Sequence, residues 1–175
     1  YWNLAAGGNW GGSIAWATTG GGTPDINNFP LAQDTAIFQS TGLNSGATVT
    51  VNANYNIGTI DMSARTASTM TLATGTTAPA IYGNWINGTG TTLTGTGAIT
   101  FGARGSQTVT SAGVTFTQPI TLNSPSGTLT LQDALTAVSF SLGNGTIDLN
   151  GKTLTLSASA TGFATVAGTK NITFN

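Results

Sequence analysis

Between residues 127 and 156 the chain reads GTLTLQDALTAVSFSLGNGTIDLNGKTLTL, with an apolar side chain at nearly every second position. A period of two places those side chains on one face of an extended strand, whereas a helix would need a period near 3.6. Such a strand cannot stand alone, because its apolar face must be covered by other strands. No stretch of the chain shows convincing helical periodicity, and GSIAWAT at 12–18 is the one place that suggests a single helical turn.

The apolar positions recur on a longer scale as well. Ile120, Leu129, Val138 and Ile147 open successive runs nine residues apart; Leu154 follows after seven, and Phe163 and Ile172 after nine again. Upstream, Ile99, Val109 and Ile120 are spaced by ten and eleven. Most open an apolar-x-apolar triplet, among them Ile99/Phe101, Ile120/Leu122, Leu129/Leu131, Val138/Phe140 and Ile147/Leu149. A strand of about five residues and a turn of about four account for this spacing. GTIDMSA at 58–64 returns as GTIDLNG at 145–151, and TLTL at 128–131 returns at 153–156. Repetition of this kind predicts an array.

The expected fold class is therefore all-β, a β-solenoid resembling a parallel β-helix, in which each turn of chain stacks on the last. An antiparallel β-sandwich or jelly roll satisfies the same alternation. Asn144-Gly145 and Asn150-Gly151 favour that alternative, since Asn-Gly suits tight hairpin turns.

Composition agrees with strands. The 175 residues include 35 Thr, 25 Gly, 15 Asn and 13 Ser, but only 5% charged residues, against about 25% in ordinary soluble proteins. Threonine, β-branched and hydroxylated, suits an exposed pleated surface and stands where charge usually would. The net charge of −1 lacks the electrostatic footprint that nucleic acid or anionic lipid requires. No apolar run approaches the ~18 residues of a membrane span. The start at Tyr1 suggests a processed form or an excerpt of a longer polypeptide.

Residues 1–40 differ in texture from the rest. They hold three of the four tryptophans, Trp2, Trp10 and Trp16, together with Tyr1, two prolines and several glycine runs. They read as an N-terminal cap or docking segment, and 41–175 as a repetitive β body. An uncapped solenoid end exposes apolar surface and unpaired backbone, so a plug of tryptophans is the expected use. Aromatic faces also stack on sugars and anchor interfaces. Tyr82 and Trp85, in the loop-like AIYGNWING, carry that second reading as strongly as the first. Tyr1, Trp2, Trp10, Trp16, Tyr82 and Trp85 are thus the candidate binding or interface residues.

Reactive constellations are sparse. With no His, Cys or Glu, zinc and other transition metals lack their usual ligands and a nucleophilic triad lacks its base. Asp61 and Asp148 hold matching places in the repeated GTID and are the one carboxylate pair to weigh for glycosidase chemistry. The plainer expectation is that each caps the turn after its strand. A calcium site at Asp61 would need carbonyls to complete it. GTGTTLTGTGAITFG at 88–102 has neither the lysine nor the helix of a phosphate-binding loop. No catalytic residue, metal or cofactor is expected. Arg104 reads as a solvated turn residue, and the three Asn-x-Thr sites at Asn87, Asn144 and Asn171 as turn-then-strand chemistry.

WNLAAGGNWGGSIAW, the run from Pro30 to Phe38, and TVTVNANYNIGTIDMSA resemble the Thr/Gly-rich β-strand repeats of autotransporter-like surface proteins. GSQTVTSAGVTFTQPITLNSPSGTLTLQDALTAVSFSLGNGTIDLNGKTLTL is similar to repeats in tail-fibre and virion-surface proteins of tailed bacteriophages, LQDAL followed by GTIDLNGKTLT most specifically. The resemblance implies an elongated, extracellular, often multimeric scaffold with no shared catalytic residues. The expected function is a non-enzymatic structural protein of a phage virion surface: a tail fibre, spike or capsid-decoration protein. Its expected partners are other virion proteins, further copies of itself (a homotrimer among them) and a host surface glycan. The alternative is a bacterial adhesin or carbohydrate-binding β-repeat module.

Overall fold

The computed structural model describes residues 1–158, 162–165 and 168–175. It is all-β, and its strands stack in parallel as a β-solenoid of about six turns. Every ladder between named strands among the described residues is parallel, so the sandwich alternative does not hold. Among the described residues one antiparallel bridge occurs, joining Trp2 to Trp16.

Three ladders run along the axis. The first holds Thr35–Ile37, Thr59–Asp61, Trp85–Ile86 and Ser106–Thr110, then the later parts of Ile120–Leu131 and Phe140–Asp148, and finally Lys170–Thr173. The second stacks Gly7–Asn9, Ala47–Thr50, Met70–Gly75 and Thr91–Gly95, and resumes with a Phe116–Ala137 bridge and the pair Leu135–Ala137 and Leu154–Leu156. The third holds Asn56–Ile57, Ala80–Ile81 and Ile99–Phe101, the early parts of the two long strands, and Phe163–Thr165.

Alternation along each strand becomes columns down the axis. Ile57, Ile81, Phe101, Leu122 and Leu142 stand in register on the third ladder, all buried. Ile60, Trp85, Val109 and Leu131 do the same on the first, and Val49, Leu72 and Leu93 on the second. Each inward side chain is covered above and below by neighbours about 4.8 Å away, the spacing of paired strands.

The nine-residue spacing is half of an 18-residue turn and not the step between neighbouring strands, because after Leu129 the chain passes Leu135–Ala137 and Phe140 before it reaches Ile147. Two such spacings separate Leu129 from its register partner Ile147, 18 positions on. Elsewhere a turn is longer: Ile57 to Ile81 is 24 positions and Phe101 to Leu122 is 21. Corner loops absorb the difference. Val138 is out of place in the triplet scheme, for it lies half-buried at a corner while Leu135, Ala137 and Phe140 point inward.

The corners explain the turn residues. Pro79 and Pro119 stand just before third-ladder strands and offer their carbonyls to Thr100 and Ile99, a position where the missing proline N–H costs nothing. Gly145 sits at φ +99° inside Phe140–Asp148, where the chain bends from the third ladder to the first without a hairpin. Asn150 and Gly151 do form a left-handed turn, at φ 49° and 65°. That turn delivers the chain to a different ladder and not to an antiparallel neighbour. Residues 12–18 form no helix, since Trp16 is drawn into the interior; the one helix among the described residues is a 3-10 turn at Ile26–Asn28.

Leu122→Ala, which empties an interior column, is expected to cost about 2–5 kcal/mol in urea denaturation. Thr121→Ala, one residue away and facing outward, is expected to stay within about 0.5 kcal/mol.

Candidate functional site

The three N-terminal tryptophans form one cluster under the first turn. Trp2 meets Trp16 edge to face with ring centroids 5.1 Å apart, Trp10 meets Trp16 at 4.8 Å, and Phe38 touches all three. Aromatic pairs of this geometry contribute about 0.5–1.5 kcal/mol each beyond area burial. The cluster is placed by backbone bonds that continue the ladders: Trp2 donates to Ile37 O and Trp10 to Thr50 O. Trp2 Nε1 donates to Leu4 O and Trp16 Nε1 to Trp10 O, both at 2.9 Å. All three tryptophans are buried, so they plug the end of the core and their faces are not offered to a ligand.

Trp85 is also interior, 1% exposed, which corrects the expectation that it could line an open groove beside Tyr82. Its position in the Ile60–Trp85–Val109 column turns it inward, against Phe116 at 5.4 Å. Its Nε1 donates to Asn87 Oδ1 at 2.9 Å, and the Asn87 amide continues to Ser111 O. Ser111 N and Ala112 N in turn donate to the two carboxylate oxygens of Asp133. A polar ladder thus follows one corner down three turns. Tyr82, the next aromatic along, is 42% exposed, and Tyr1 is half-buried.

Asp61 and Asp148 both lie on the first ladder. They are divided by three intervening strands, which makes about 19 Å at about 4.8 Å per step; paired glycosidase carboxylates stand about 5–9.5 Å apart. Each instead accepts the backbone N–H two residues on, Ser63 for Asp61 and Asn150 for Asp148, at 2.9 Å. The repeated motif is a repeated turn cap. Among the described residues no group of three or more metal-ligating side chains comes together.

Arg65 escaped sequence reasoning altogether. It lies in the loop after Thr59–Asp61 and is 0% exposed. Nη1 donates to Gln39 O and Leu43 O, and Nη2 to Asn44 O and Thr69 O, at 2.7–3.3 Å. The guanidinium fork thereby ties the loop of one turn to that of the next. Burial pushes its pKa below the usual arginine range, yet a guanidinium remains protonated at neutral pH. Nothing in ARTAS distinguishes it from a solvated arginine, because three of its four carbonyl partners lie 21 to 26 residues away.

No protein-family model, curated protein or solved structure matches the chain. What the arrangement does chemically is therefore read from its own geometry: buried aromatics seal one end, polar side chains stitch the corners, and the outer faces carry hydroxyls.

Arg65→Met is expected to lower stability by about 3 kcal/mol or more, since it leaves several buried carbonyls without a donor. Arg104→Met, at an exposed turn, is expected to change the denaturation midpoint little.

Proposed function

We propose that this protein is a non-enzymatic structural element of a phage virion surface, a tail fibre, spike or capsid-decoration protein that gives a rigid attachment or coat element. The observation that carries this reading is the parallel stacking, continuous along the first and third ladders, beneath an outer surface of threonine, serine and asparagine. Consecutive turns share backbone bonds along the axis, so the body resists bending and offers proteases few extended segments. Its outward positions on the second ladder, Thr48, Thr71 and Thr92, follow one another in register and carry no charge.

In this reading the protein works outside the cell, on the virion surface. Its neighbours are other virion proteins and copies of itself, a homotrimer among the arrangements, with a host glycan as the outer partner. Nucleic acid and the bilayer interior are not partners. Among the described residues no helix is long and apolar enough to cross a membrane. The second reading, a bacterial adhesin or carbohydrate-binding module, loses Trp85, which is interior, and keeps Tyr82, which is exposed.

Gold-labelled antibody against the protein, imaged on particles and on cell envelopes from the source material, separates the two. Regular labelling of a fibre, spike or head supports the virion role; labelling of envelopes alone refutes it. Because so few charges are present for salt to screen, the thermal midpoint is expected to shift by less than about 2 °C between low and high sodium chloride.

A further inference from the structure

One side of the N-terminal cap is hollow. A cleft of about 380 Å³ opens there between Tyr1 and the segment Asn27 to Thr35, within the range of small-molecule sites, roughly 300–1,000 Å³. Tyr1, Phe29 and Pro30 supply an apolar wall, and Thr18, Asn28 and Asp34 supply polar groups. The wall is held from several sides. Phe29 packs on Tyr55 at 5.3 Å, Asp25 N donates to Trp16 O, and Thr59 N donates to Asp34 O.

The polar groups are only partly used by the protein. Asp34 stands on the exposed rim of the cleft, where Oδ2 accepts the Leu31 N–H at 2.8 Å and Oδ1 has no partner among the described residues. The Asn28 side-chain amide and the Tyr1 hydroxyl likewise have none among them. The charged side chain at the cleft is the Asp34 carboxylate, and the Tyr1 backbone nitrogen is turned to Ala17 O at 2.9 Å. A carboxylate with one free oxygen, a free amide and an aromatic face together suit a ring that has vicinal hydroxyls on its edge and C–H groups on its face. An anionic ligand would meet Asp34 at a cost.

We propose that this cleft binds a neutral sugar residue, its face against Tyr1 and Phe29 and its hydroxyls on Asp34 and Asn28. Other hollows lack the combination. The one at Pro125, Asn144 and Asn171 is polar without an aromatic, and the groove at Leu156, Phe163 and Phe174 is apolar throughout. The site deepens the attachment role proposed above and rests on it for its purpose, though not for its geometry. Sugar binding and virion labelling are separate measurements, so either can fail alone.

The test is an array of neutral oligosaccharides built from glucose, galactose, mannose and N-acetylhexosamines, with sialylated and sulfated glycans as the anionic arm. The strongest neutral glycan is then titrated against intrinsic fluorescence, since Trp16 borders the cleft. Neutral-glycan binding is expected, weakened roughly tenfold or more by Asp34→Asn and by Asn28→Ala, and unchanged by Tyr82→Ala. Should Asp34→Asn lower the unfolding midpoint, Asn28→Ala decides alone. Absence of binding, preference for anionic glycans, or binding that survives Asn28→Ala and falls with Tyr82→Ala overturns the proposal.

Discussion

Parallel stacking of one turn on the next is the constraint from which the rest of this molecule follows. On the first and third ladders each strand inside the stack gives its backbone bonds to two neighbours along the axis, while the second is interrupted after Thr91–Gly95, which among the described residues pairs only with Met70–Gly75. Register then becomes a property of the whole column. A side chain that faces inward in one turn must lie over an inward side chain in the next, as Ile57, Ile81, Phe101, Leu122 and Leu142 do. Turn length is free to vary because only the strands are held in register, and corners take up the difference.

Several buried polar side chains obey the same rule. An inward polar side chain in a stack has backbone of the adjacent turn within reach, and that is where these side chains turn. Gln107 donates to Ile81 O and Gly83 O of the preceding turn and accepts from Ala103 N. Arg65 gathers four carbonyls, and Asn87 links Trp85 to Ser111. Gly83 belongs to this pattern too, because a Cβ there would strike Thr59 on the turn above. These residues fasten successive corners, while the columns supply apolar burial. Specialisation is left to the ends and the outer surface, where stacking places no demand, and the cleft beside Tyr1 lies at such an end.

The strands and their inward faces were readable because period-two alternation is local. Ile120/Leu122, Leu129/Leu131 and Phe140 all point inward as their spacing implies. The cap was readable for a physical reason as well: three tryptophans within 16 residues of weak strand pattern have few uses other than closing a core. Sequence could not separate parallel from antiparallel stacking, since both demand the same alternation and Asn150-Gly151 makes the same left-handed turn in either. Tyr82 and Trp85 show the limit at the site. They stand three residues apart in a glycine- and asparagine-rich stretch, and only the register of Trp85 over Val109 turns one inward and leaves the other exposed. Arg65 and the Asp34 cleft depend on chain segments distant in sequence, and no local motif carries them.

Amide hydrogen exchange resolved residue by residue tests the stacking most directly. Met70–Gly75 and Ile99–Phe101 are each paired on both sides in the stack, so consecutive amides along them should be protected alike, whichever way their side chains face. Fast exchange at every second amide of those strands, the mark of an open sheet edge, would contradict it.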